Sequence, residues 1–268
     1  MLPRAQRARG ELVLSVKQAR GRSRISDLRV GGSLKALFPQ TRETALQAVF
    51  LNTAGGITGG DRFTLNARAE AGAHLVMTSQ AAERIYRAQP GETGRMMTRL
   101  DVAGGARLDW LPQETIVFDQ ARLQRRIDVS LAPDARFLAV EPLLLGRLAM
   151  GERVKTAHLE DQWRIRRGDR LIFADNLRLS GPIEDILARP GVAPGCRAIA
   201  TLIFAAPDAD LKLAPLRAAL GQAGAASLVR PGLLFARAIA PDGFDLRRNL
   251  IPAIEVLSGT SLPRTWTI

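Results

Sequence analysis

Between residues 71 and 152 the chain repeats itself, and this constrains its fold more than any other feature. Gly72-Ala73-His74-Leu75-Val76-Met77 aligns with Gly105-Ala106-Arg107-Leu108-Asp109-Trp110, and both align with Asp134-Ala135-Arg136-Phe137-Leu138-Ala139, at intervals of 33 and 29 residues. Each unit is a turn followed by a short strand. The first two units then carry a Gln, at Gln80 and Gln113, where the third carries Glu141-Pro142. A single strand of this kind cannot cover its own apolar face, so such units bury it by stacking on the next copy. Elsewhere the alternation is that of a half-buried strand: Arg125-Arg126-Ile127-Asp128-Val129-Ser130-Leu131 sends Ile127, Val129 and Leu131 to one face. The pattern predicts a mainly β chain with a stacked, β-helix-like, solenoid-type body. Ordinary consecutive hairpins with look-alike turns are the competing arrangement.

Past residue 190 the pattern changes. Ala198 to Ala206 is a continuous apolar run suited to a buried strand, and Asp208 or Asp210 stands where a cap would start a helix reaching about Leu220. Residues 225–229 and 232–240 read as strands. Asp242-Gly243 then opens a helix with Leu246, Leu250, Ile251, Ile254 and Leu257 on one face. The order βαββα predicts a small α/β portion containing two helices, over about 196–260, packed on a repeat body over about 1–190. Pro190, Gly191, Pro194 and Gly195 make the hinge before it. The chain is read as one domain over 1–268.

Composition narrows the function classes. No run of about 18 apolar residues exists, which excludes a membrane-spanning helix. The first ten residues are basic but lack the apolar centre of a secretory signal, and Glu11-Leu-Val-Leu-Ser-Val16 already alternates like a strand. Cys196 is the single cysteine, so no internal disulfide is possible and a cytoplasmic location is expected. The net charge is +12, but only Lys17, Lys35, Lys155 and Lys212 are lysines, leaving 34 Arg among 38 basic residues. These are scattered, and one Tyr offers little for base stacking, so no nucleic-acid partner is expected. The local excess in residues 1–30, eight basic against two acidic, suits an acidic protein partner equally well.

The chemistry-bearing residues are carboxylates and one glycine loop. Leu51-Asn-Thr-Ala-Gly-Gly-Ile-Thr-Gly-Gly-Asp61 places the pairs Gly55-Gly56 and Gly59-Gly60 before Asp61. It is no phosphate loop, because Asp61 and Arg62 stand where Lys and Ser/Thr are required. It is either a tight structural turn or a device that fixes one carboxylate in place. Glu83, Glu114, Glu141 and Asp175 also lie in apolar surroundings, where an unpaired carboxylate is costly. Each must pair with Arg, hold a cation or line a wet passage. Nucleophilic catalysis finds little: His74 and His158 are the only histidines, no Ser sits in a Gly-x-Ser-x-Gly elbow, and one Cys with two His is unsuited to a closed zinc site. No catalytic residue is expected.

Taken together, these segments resemble the urease accessory protein UreD (UreH) family. The resemblance rests on residues 51–61, Thr78-Ser-Gln-Ala-Ala-Glu-Arg-Ile-Tyr-Arg87, Leu108-Asp-Trp-Leu-Pro-Gln-Glu-Thr-Ile-Val-Phe118, Leu145-Gly-Arg-Leu-Ala-Met-Gly-Glu152, Leu179-Ser-Gly181 and Pro263-Arg-Thr-Trp266, in family order. Gly32-Ser-Leu-Lys-Ala-Leu-Phe-Pro39 looks like a variant of a further family segment. The resemblance implies a non-catalytic nickel metallochaperone scaffold with no tightly bound cofactor and Ni²⁺ held only transiently. Its partners would be the urease apoprotein, UreF, and through UreF the GTPase UreG. It also implies a water-filled tunnel with Asp61, Glu83, Glu141 and Asp175 along it. Arg264 and Trp266 are the residue types enriched at binding hot spots and are the partner-contact candidates at the C-terminus, with sealing of the core as the other reading of Trp266. The rival readings are a β-solenoid hydrolase with paired carboxylates in an open groove and an Arg-rich nucleic-acid binder.

Overall fold

A computed structural model describes residues 6–147 and 150–267. Residues 1–5 of the basic N-terminus, and Leu148 and Ala149 within the Leu145–Glu152 segment, lie outside the described residues. The chain opens with β1 (Arg9–Ala19), β2 (Arg22–Gly32), β3 (Leu34–Leu37) and β4 (Leu46–Asn52). The coils follow as β5 (Arg62–Ala69), β6 (His74–Ser79), β7 (Glu83–Ile85), then β8 (Gly94–Val102), β9 (Arg107–Trp110), β10 (Thr115–Val117), then β11 (Arg122–Leu131) and the long β12 (Arg136–Leu145). The hairpin of β13 (Thr156–Arg167) and β14 (Arg170–Pro182) ends the stack. The remainder is α1 (Ile183–Ala188), β15 (Ala198–Ala205), α2 (Leu213–Leu220), β16 (Gly224–Arg230), β17 (Leu233–Ala240) and α3 (Gly243–Ser258).

The strands form two sheets. The first has the order β14-β13-β11-β8-β5-β1-β2, the second β16-β17-β15-β12-β9-β6-β4-β3, and β7 and β10 make a short third face beside the end of β12. Each coil contributes one parallel strand to each large sheet, which is the stacked body that the repeat predicts. The repeat is visible in the register itself: His74 lies beside Arg107, and Arg107 beside Arg136. Ala73, Ala106 and Ala135 are all buried at the corner, and their N–H groups close the same turn onto Glu70, Ala103 and Ala132. The same small residue thus sits buried at the same place in each turn.

The molecule has three layers. Inward side chains of the two sheets, among them Leu12, Leu14, Leu65, Leu75, Leu108, Ile127, Val129 and Phe137, build the main core. The other face of the second sheet packs under α2 and α3, where Leu138, Val140, Leu202 and Phe204 meet Leu216, Leu220, Leu246, Leu250 and Ile254. Sandwiched between these cores, β15 is buried along its whole length, which explains an apolar run broken only by Thr201. The α/β portion is not a separate layer on the stack: β15 pairs with β12 from Phe137 to Leu144, so the second sheet runs continuously from coils to C-terminal strands.

Local chemistry accounts for most helix boundaries. Asp242 caps α3 by accepting from the Asp245 N–H, and Gly259 ends the helix in the left-handed conformation. The start of α2 differs from the sequence expectation. Neither Asp208 nor Asp210 caps it; a 3₁₀ turn over Ala209–Lys212 leads in, and Asp210 instead accepts from the Gly232 N–H. The six-residue α1 comes in addition to the two helices expected, and no side chain caps its N-terminus.

Candidate functional site

The layer between the sheets is mainly apolar, and most of its polar side chains fall along one line. Glu141 points inward from β12, and its Oε1 accepts from the indole Nε1 of Trp110 at 2.6 Å. From the opposite sheet Arg125 brings Nη1 to 2.5 Å from Glu141 Oε2 as an ionic contact. The same guanidinium donates to both oxygens of Asp161, at 3.0 and 2.6 Å, and to Thr115 Oγ1. Register explains the triad: Arg125 on β11 lies directly beside Asp161 on β13, and both face inward. Glu141 also stands opposite Thr201, which stands opposite Arg237. Arg237 in turn reaches Thr201 Oγ1 and pairs with Asp175 of β14 at 2.6 Å. The polar line thus crosses from one sheet to the other twice.

On the other side of Glu141 lies a cavity of about 220 Å³. Glu83, Asn52, Gln80, Thr115, Arg125 and Glu141 supply its polar wall, and Phe50 and Trp110, stacked with centroids 5.2 Å apart, supply part of the apolar one. Glu83 reaches it from β7 and accepts weakly from Asn52 Nδ2, at 3.3 and 3.4 Å, and from the Arg84 N–H at 3.1 Å. Burial dominates its titration and pushes it up to about 7. Burial likewise pushes Glu141 up to about 7, aided by Asp161 and opposed by Arg125, which divides its charge between two carboxylates. Arg125 is held firmly protonated, because Asp161 and Glu141 together outweigh the burial that disfavours its charge.

Of the four expected tunnel residues, two share this cavity. Glu83 and Glu141 line it, whereas Asp61 and Asp175 do not. Asp61 is buried with both oxygens committed, Oδ1 to the Ala8 N–H and Oδ2 to the Thr58 N–H, each at 2.8 Å. It ties the glycine loop to the chain entering β1 and does not line this cavity. Asp175 sits beyond Thr201 and Arg237, at the far end of the polar line. The sequence reading omitted Arg125, Asp161, Thr201 and Arg237. Only Arg125 carried a signal, as a charged residue at an inward position of an alternating strand.

The loop glycines have two different reasons to be glycine. Gly56 has φ 155° with its missing Cβ directed at the Tyr86 ring. Gly59 needs no special backbone angle, but a Cβ there would lie 2.7 Å from Glu92 Cβ and 2.9 Å from Ala88 Cβ. Gly55 and Gly60 complete the turn at positive φ.

At the C-terminus the two partner candidates separate. Trp266 is 1% exposed, donates Nε1 to the Leu111 carbonyl at 2.9 Å and lies under the Arg247 guanidinium. It seals the core beneath α3, the alternative that the sequence left open for it. Arg264 is exposed, at the rim of a cavity of about 330 Å³ that also holds His74 and Asp109. There Asp109 is held low: burial is outweighed by its hydrogen bond from His74, at 2.9 Å, and by Arg107.

Among the described residues no three His, Cys, Asp or Glu side chains converge to hold a metal ion, and no helix is long and apolar enough to cross a membrane. His158 Nδ1 lies 2.8 Å from Ser180 Oγ on the surface. Fold and interior together define a stacked-β protein with a polar line through its middle layer. Comparison with known proteins is specific. The family model described as UreD urease accessory protein matches residues 8–267, and the chain belongs to this family. It is 48% identical over 270 residues to the urease accessory protein UreD of Azorhizobium caulinodans, covering 99% of this chain and 98% of that one. To the UreD of Ruegeria pomeroyi it is 47% identical over 246 residues, covering 92% and 96%.

Proposed function

We propose that this protein serves urease maturation as a non-catalytic scaffold that passes Ni²⁺ through its interior, bridging the urease apoprotein to UreF and, through UreF, to UreG. The supporting observation is the cavity of about 220 Å³ shared by Glu83 and Glu141 and continued by the line Asp161, Thr201 and Asp175. A divalent cation moving through a protein needs oxygen donors at successive depths and none that grips too tightly. Glu83 and Glu141 offer such donors two at a time, and their pKa values near 7 make the charge they present adjustable. Ionised, each attracts the cation; the proton it takes up afterwards assists release. Arg125 and Arg237 stand as fixed positive charges beside the line, which confines a dication to its carboxylate side and disfavours lingering.

The test is urease activation in a strain carrying the remaining accessory proteins. Glu83→Gln and Glu141→Gln should lower urease nickel content and activity while UreF still co-purifies with the variant chain. Normal nickel loading by the double variant would sink the conduit, and loss of UreF co-purification would show that the carboxylates serve assembly instead.

A further inference from the structure

The outer face of the first sheet carries a row of like charges that the fold does nothing to neutralise. Arg9 on β1 lies in register beside Arg62 on β5, and Arg62 beside Arg95 on β8. Parallel in-register neighbours are about 4.8 Å apart, and like charges set side by side in a sheet destabilise it. All three side chains are exposed, and among the described residues none is ion-paired; Arg95 donates only to Gln124, at 3.3 Å. The carboxylates on this side lie off the row: Glu11 is two residues along β1 from Arg9, Asp101 is further along β8 beside Arg68, Asp128 is held by Arg126, and Glu160 is two strands beyond Arg95, engaged by Gln124 and Gln162. A groove of about 410 Å³ runs beside the row, with Arg62, Arg95 and Arg126 along it.

We infer that this row is a docking site for an acidic helix of a protein partner. The rung spacing of about 4.8 Å nearly matches the about 5.4 Å pitch of an α-helix, so carboxylates on three successive turns of a helix laid across β1, β5 and β8 meet Arg9, Arg62 and Arg95 in turn. Arginine recognises carboxylates through paired N–H donors, and three side by side give direction as well as attraction. A nucleic acid is the poorer fit. Outward residues of β1, β5, β8 and β11 include no aromatic side chain on which a base could stack. The site lies outside the interior line, and the inference stands independently of nickel transfer.

The experiment uses the full chain and fluorescence anisotropy with two labelled peptides of equal charge. One is alanine-based and helical, with Glu on one face at every turn; the other has the same Glu residues spread around the helix. The faced peptide should bind more tightly, weaken between about 0.05 M and about 0.3 M salt, and lose roughly tenfold or more in affinity to the Arg62→Gln/Arg95→Gln variant. Equal binding of both peptides, or unchanged binding by the variant, overturns the proposal. So does tighter, arginine-dependent binding of a single-stranded DNA oligonucleotide. A second readout does not depend on any ligand: because it removes repulsion, Arg62→Gln should raise Tm by about 1–3 °C. A fall in Tm would mean that the row is structural.

Discussion

Arg125 and Glu141 meet across the gap between two sheets, Nη1 to Oε2, at 2.5 Å, and Asp161 holds the other side of the same guanidinium. One cation therefore serves a buried and a half-buried carboxylate that belong to different layers. Removing it leaves two acids facing an apolar interior. Arg125→Met should destabilise the fold by about 3–5 kcal/mol in urea titrations, the cost of breaking a buried pair from one side. Removing Arg125, Glu141 and Asp161 together, as Met, Leu and Leu, should recover most of that loss. A triple variant as unstable as the single one would show that the triad is a net source of stability.

Glu83 carries a pH prediction. Its pKa in the folded chain is about 7, against 4.5 when unfolded. Between these values the folded state binds the extra proton, so stability falls as pH rises from about 4.5 to about 7 and is level above that. The total is on the order of 3 kcal/mol. Glu83→Gln should make this segment of the stability profile shallower, the remaining slope coming from Glu141, and leave the variant more stable than the parent at pH 8. A parallel profile for both proteins would place the Glu83 carboxyl in a wetter setting.

Asp61 tests structure against transport. Asp61→Ala strands two N–H groups, those of Ala8 and Thr58, and should cost about 2–4 kcal/mol. Urease activation would then fall in proportion to the folded fraction and return at lower temperature. Failure to activate by a fully folded, stable Asp61→Ala chain would place this carboxylate in the passage.

Trp266 and Arg264 should part company. Trp266→Ala empties a buried site and removes the bond to Leu111, for about 3–5 kcal/mol, visible as a lower urea midpoint. Arg264→Ala should leave the midpoint unchanged and weaken UreF co-purification. Full UreF binding by the Arg264 variant would remove the only exposed member of the pair from the interface.

The stacked body was legible because its coils align in register: the residues that repeat in sequence, His74, Arg107 and Arg136, are those that touch along the sheet. The C-terminal strands and α3 were legible through an apolar run and a capping Asp. The interior line was only half legible. Glu83 and Glu141 stood out as carboxylates in apolar segments, but so did Asp61, and sequence cannot tell an acid that faces a cavity from one that ties down backbone amides. Arg125 and Asp161 are 36 residues apart, and their meeting depends on which coil lies beside which. Trp266 left two readings open, because an aromatic near a terminus reads the same whether it faces a partner or a core. The helix α1 has too few residues to show a period.

Both large sheets finish in antiparallel strands, β1–β2 and β13–β14 in one, β3–β4 and β15–β17 in the other. Parallel coils therefore cannot be added at either end without breaking a hairpin, and the number of coils fixes a length. Each coil contributes about 4.8 Å, so the reach of the molecule from end to end is counted in whole turns of chain rather than tuned by side chains. Deleting or duplicating one unit of some thirty residues would leave every face chemically similar yet shift whatever is held at one end relative to the other by a fixed step. In this sense the body is a gauge, and its calibration is written in the number of repeats.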